Sequence, residues 1–108
     1  MYKLTQNERK ALQKLKEAIK KKYRLLEFKL FGSKARGDFD KESDLDLFIV
    51  LDKLNWKIEK EIYEICFEIG LEYDMIFCPV VFSKTETKKP LLKITPFYQI
   101  VQKEGISI

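Results

Sequence analysis

Gly32-Ser33-Lys34-Ala35-Arg36-Gly37, followed seven residues later by Asp44-Leu45-Asp46-Leu47-Phe48-Ile49-Val50-Leu51, is the stretch from which the rest of the chain can be organised. The second part is the strongest strand signal in the sequence: five apolar residues in a row, entered through an Asp-x-Asp pair. The first part follows another short apolar run, 25–31, so a strand is expected to feed directly into Gly32. Ser33 to Arg36 has room for a single helical turn, and Gly37 is a suitable stop for it. Residues 38–43 are polar and read as a loop.

Outward from this pair of strands the punctuation is regular. Leu4, Ala11, Leu12, Leu15, Ala18 and Ile19 recur at helical spacing, and Thr5 with Glu8 has the form of a capping box. Downstream, Asn55 can cap a second helix along the apolar stripe Ile58, Ile62, Ile65, Cys66 and Ile69, with Gly70 expected to stop it. Residues 72–82 read as a third strand, at a sheet edge or interrupted, because Pro79 cannot donate to a ladder. Residues 83–89 read as loop, and Pro96 opens a last helix that Gly105 closes. Helix, strand, turn, strand, helix, strand, helix implies an α/β (α+β) domain with a small mixed sheet of three to four strands flanked by helices. With 108 residues, 1–108 is expected to be one domain.

Composition narrows the chemistry. No apolar run is long enough to span a bilayer and Met1-Tyr2-Lys3-Leu4-Thr5-Gln6 has no signal-peptide pattern, so a soluble, cytoplasmic protein without membrane contact is expected. Cys66 and Cys78 form no paired-cysteine motif, which argues against a disulfide scaffold or a zinc site. The net charge is +4, and its sharpest cluster, Lys20-Lys21-Lys22, suits the C-terminal end of the first helix. Without basic and aromatic residues interleaved, nothing points to nucleic acid. Lysine and glutamate are abundant over asparagine and glutamine, a bias of thermophilic proteins. Histidine is absent, so Ser-His-Asp, Cys-His and imidazole-metal chemistries are excluded.

What remains are carboxylates and a phosphate-sized turn. Alternate strand residues share a face, so Asp44 and Asp46 point together while Leu45, Leu47 and Ile49 enter the opposite layer. Two carboxylates side by side favour a cation between them, and magnesium takes one or two carboxylates plus substrate phosphates. Asp74 interrupts the third strand and is expected to complete a cluster of three, a donor set for a two-metal site. The bland alternatives are a solvent-facing strand start and an edge charge that deters aggregation. Gly32 allows close approach of a ligand, Ser33 adds a hydroxyl, and Arg36 lies one turn on to meet a phosphate. The pattern is neither a Walker A loop nor a three-glycine dinucleotide fingerprint.

Gly32-Ser33, ten intervening residues and Asp44-x-Asp46 resemble the signature of the DNA polymerase beta-like nucleotidyltransferases. The fuller Gly-Ser-x-Ala-Arg-Gly string, with Ser43-Asp44-Leu45-Asp46-Leu47 and the ending from Pro96-Phe97-Tyr98 to Glu104-Gly105-Ile106, is similar to the minimal nucleotidyltransferase (MNT) branch. The resemblance implies that Gly32, Ser33 and Arg36 hold a nucleotide triphosphate. It implies that Asp44, Asp46 and Asp74 are the catalytic, metal-binding carboxylates for two Mg2+ ions, with Asp74 at the family's third position. The implied reaction is transfer of AMP from ATP with release of pyrophosphate. MNT proteins are often paired with a HEPN-domain toxin, so the implied biology is an antitoxin that adenylylates a tyrosine of its HEPN partner. A HEPN-binding module with an idle site and a nucleotidyltransferase acting on a small molecule are the alternatives. A homo- or hetero-oligomer stays open.

Overall fold

In the computed structural model, which describes residues 4–37 and 44–108, the apolar run at the centre of the sequence becomes the centre of a sheet. The elements run α1 (Gln6–Lys22), β1 (Leu25–Phe31), α2 (Ser33–Arg36), β2 (Leu45–Leu51), α3 (Trp56–Tyr73), β3 (Phe77–Ser83), α4 (Lys84–Thr87), α5 (Pro90–Lys93), α6 (Pro96–Glu104) and β4 (Ile106–Ser107). The sheet order is β3-β2-β1-β4. β1 is antiparallel to both β2 and β4, whereas β2 and β3 are parallel, as the crossover through α3 requires. This is the mixed sheet flanked by helices that the punctuation implies. The loop expected over residues 38–43 lies outside the described residues.

β2 is covered on both faces, which explains why its sequence shows a continuous apolar run instead of alternation. Leu45, Leu47, Ile49 and Leu51 enter the main core with Leu12, Leu15 and Ile19 of α1 and Ile62 and Cys66 of α3. Phe48 and Val50 face the other way, against Val101, Phe97 and Tyr98 of α6. The apolar group near residues 97–108 is therefore mostly packing; of its members Ile100 is the exposed large one. α1 begins with the expected capping box between Thr5 and Glu8, and Asn55 caps α3.

Three expectations change. α3 does not stop at Gly70; it continues to Tyr73, and Asp74 is its left-handed cap at φ 56°. Gly70 is needed for a different reason: a Cβ there would stand 2.6 Å from the Met75 carbonyl oxygen, where the chain folds back. β3 consequently starts at Phe77, not at residue 72, because the last helical turn takes residues 71–73 and the cap takes Asp74. Residues 83–89 are not simply loop: Ser83 and Glu86 form a second capping box that starts α4. The edge position read from Pro79 holds, since β3 is one of the two outer strands of the described sheet.

Candidate functional site

The strand-to-turn junction and the start of β2 meet because β1 and β2 are antiparallel neighbours. In their ladder Phe31 pairs with Asp46, which leaves Gly32 beside the Asp46 side chain. The contact is close enough to dictate the residue type. A Cβ on Gly32 would stand 2.3 Å from Asp46 Oδ2 and 3.2 Å from its Cγ, and Gly32 has φ 78° and ψ −157°. That conformation is open essentially to glycine alone. Ser33 to Arg36 then form the single turn α2, closed by Gly37 in the left-handed region at φ 84°. As in any helix start, its first N–H groups have no partner within the helix.

Asp46 lies on the same face of β2 as Phe48, on the α6 side of the sheet, opposite the α1–α3 core. Asp44 is exposed just before the strand, whereas Asp46 is half-buried. Burial raises the Asp46 carboxyl above its ordinary value, the nearby Asp44 charge adds to this, and Arg36 opposes it. Two like charges held together in a partly buried place are a site short of positive charge. Arg36 supplies some of it while also contacting Glu104 at the end of α6 (3.3 Å), so the turn is tied to the last helix.

Asp74 does not join this group. It caps α3, outside the strand in which it was expected, and among the described residues no set of three or more His, Cys, Asp or Glu is placed to hold a metal ion. The residue of β3 that faces Asp46 across the parallel ladder is Cys78. Its thiol donates to Asp44 Oδ2 at 3.5 Å. Burial, with the Asp44 and Asp46 charges and that hydrogen bond, pushes the thiol up to about 11, so it stays protonated as a neutral donor. The expected third carboxylate position beside the pair is thus a cysteine.

Sequence reasoning missed the support beneath the turn. Lys34 is 2% exposed and its Nζ lies 2.7 Å from Glu8 Oε2. The other oxygen of Glu8 accepts from the Thr5 N–H at 2.8 Å, completing the helix cap. One carboxylate therefore fastens the N-terminus of α1 to the Ser33 turn. Burial would raise the Glu8 carboxyl, but the Lys34 hydrogen bond, the Thr5 hydrogen bonds and the Lys34 charge together hold it below its ordinary value. The local signal for Glu8 was the capping box, which gives no hint of its distant partner.

The profile of the family described as nucleotidyltransferase domain matches residues 12–106. Three relatives from Methanocaldococcus jannaschii each bear the name "Putative protein adenylyltransferase". MJ0604 is 35% identical over 103 residues, covering 92% of this chain and 95% of its own. MJ0141 is 42% identical over 57 residues, 52% of this chain and 58% of its own, so that alignment spans little more than half of that relative. MJ1379 is 36% identical over 69 residues, 60% of this chain and 69% of its own.

Proposed function

This chain belongs to the nucleotidyltransferase domain family and is a transferase enzyme, and from that premise we propose that it transfers AMP from ATP to a hydroxyl group of a partner protein. The observation that carries the proposal is the contact between the Gly32 turn and the Asp46 carboxylate. It sets a turn that would bind phosphate beside a carboxylate that would bind metal, the pairing that transfer of a nucleoside monophosphate demands. The names of the three relatives support a protein acceptor. A tyrosine of a HEPN-domain toxin is the specific acceptor that the MNT resemblance favours, which would make this chain the antitoxin.

The roles follow from position. Ser33, with the leading N–H groups of α2, would bind the triphosphate, and Arg36 would balance its charge. Asp44 and Asp46 would bind magnesium; hard carboxylate oxygens, two in number, with phosphate oxygens to fill the remaining positions, fit that ion. When bound, magnesium supplies neutralisation of the phosphate and pyrophosphate charge. In the transfer, the acceptor oxygen bonds to the α-phosphorus as the bond to pyrophosphate breaks, and the hydroxyl proton passes to solvent. With no histidine in the chain, positioning and charge are the means available.

The test is to incubate the protein with magnesium, ATP labelled at the α-phosphate and the product of the neighbouring gene. Label on a partner tyrosine, lost with Asp44→Asn and with Asp46→Asn, is the expected result. Toxin neutralisation that survives both substitutions would replace the proposal with a binding module. Label appearing on a small molecule alone would replace the acceptor.

A further inference from the structure

We propose that the groove between α3 and the free edge of β3 is where the acceptor protein docks, through a polypeptide segment with apolar anchors flanked by lysine or arginine. The acceptor's being a protein rests on the transfer reading above; the groove and its chemistry do not.

The groove has a volume of about 280 Å3, and Tyr63, Phe67, Leu71, Ile76 and Pro79 are among the residues lining it. Phe67, Leu71 and Ile76 are each more than 60% exposed. Helical residues four apart lie on one face, so Tyr63, Phe67 and Leu71 form a row. At 1.5 Å per residue this row is about 12 Å long, the length of two turns of a partner helix.

Charge selects the class of occupant. A shallower depression shares Tyr63 and Phe67 with the groove and is completed by Lys60, Glu64 and Glu68. Other glutamates of α3 are engaged: Glu61 with Lys22 and Tyr23, Glu72 with Lys14, and Glu59 with the Tyr63 hydroxyl. Glu64 and Glu68 have no ion-pair or hydrogen-bond partner among the described residues. Lys60 in the same depression and Lys22, which feels the Glu68 charge, offset part of this, and the depression keeps an excess of carboxylates beside the apolar row, which favours a cationic segment.

Position ties the groove to the chemistry. Residues 77 and 79 of β3 face the groove, and Cys78 between them reaches Asp44 on the other side of the strand. The two sites are therefore separated by the width of one edge strand. The edge itself is closed to ladder formation at Pro79. Leu45 N–H bonds to the Ile76 carbonyl, so the alternation of a parallel ladder turns residue 79 outward, where proline has no N–H to offer. A partner is accordingly held by the groove, and a hydroxyl residue flanking its docked segment can pass around the edge to Asp44 and Asp46.

The probe is a fluorescent amphipathic peptide with leucines on one helical face, lysines on the other and one terminal tyrosine; its control carries glutamates in place of the lysines. The lysine peptide is expected to bind and the glutamate peptide not to. Phe67→Ser and the double variant Glu64→Lys/Glu68→Lys should each weaken the lysine peptide about tenfold or more, and the double variant should gain the glutamate peptide. ATP binding should not change in either variant. Equal binding of both peptides, or affinities unmoved by the variants, would overturn the proposal. So would sedimentation showing a dimer that Phe67→Ser dissolves. Peptide binding is read without ATP, so groove-dependent binding together with no label on the neighbouring gene's product in the transfer experiment above would leave the docking surface standing and remove the transfer reading.

Discussion

Gly32→Ala isolates the contact on which the active-site reading depends. Two separate costs apply. The backbone sits at φ 78° and ψ −157°, a region where a side chain costs about 1–3 kcal/mol. The added Cβ also meets Asp46 Oδ2 at 2.3 Å and Cγ at 3.2 Å, so the carboxylate has to rotate out of its place. Urea denaturation should register the backbone cost plus the clash, and melting should fall by about 4 °C per kcal/mol for a domain of this size. The two costs separate in an Asp46→Ala background, where the oxygen and Cγ are gone but the strained φ persists. Gly32→Ala should cost less there, with a coupling on the order of 1 kcal/mol between the two positions. Transfer of labelled AMP should be lost in Gly32→Ala even under conditions where the variant is fully folded. A variant within about 0.5 kcal/mol of the parent that transfers AMP normally would refute the claim that turn and carboxylate form one site.

The buried Glu8–Lys34 pair gives a second test. Glu8→Gln should destabilise by about 1–3 kcal/mol, because it takes a charged hydrogen-bond partner from the buried Lys34 ammonium; denaturation curves of variant and parent decide it. Acid should act through the same group. The Glu8 carboxyl is held below its ordinary 4.5 in the fold, so its contribution is complete above that value and is lost as the pH falls through the lower folded value. The slope of stability against pH in that acid range should flatten in Glu8→Gln, and an unchanged slope would assign the effect elsewhere. Finally, Asp74→Gly relieves a left-handed, non-glycine cap and should raise stability by up to about 1 kcal/mol without loss of transfer. Loss comparable to Asp44→Asn would return Asp74 to the active site.

Much of this protein was readable because its signals are local. The capping box at Thr5 and Glu8, the strand ending at Phe31, the turn from Ser33 to Arg36 and the cap at Asn55 all depend on residues within a few positions of one another. The third strand was misplaced for a matching reason. Gly70 reads as a helix stop, yet its role is to admit the Met75 carbonyl, a contact made only when the chain has turned back. With the helix extended to Tyr73, Asp74 became a cap, and the strand position beside Asp46 passed to Cys78.

The sequence by itself determined the chemistry on offer: no imidazole, two carboxylates sharing a strand face, and a glycine-serine turn after a strand. Period-two alternation and turn stereochemistry are properties of a few consecutive bonds, so they survive without knowledge of the fold. Only the tertiary structure decided what stands next to what. Antiparallel pairing of β1 with β2 brought Gly32 against Asp46, packing of α1 under the turn paired Glu8 with Lys34, and the crossover through α3 left β3 at the edge with an apolar groove beside it. Those neighbours are set by strand order and register, which depend on contacts between residues far apart in the chain.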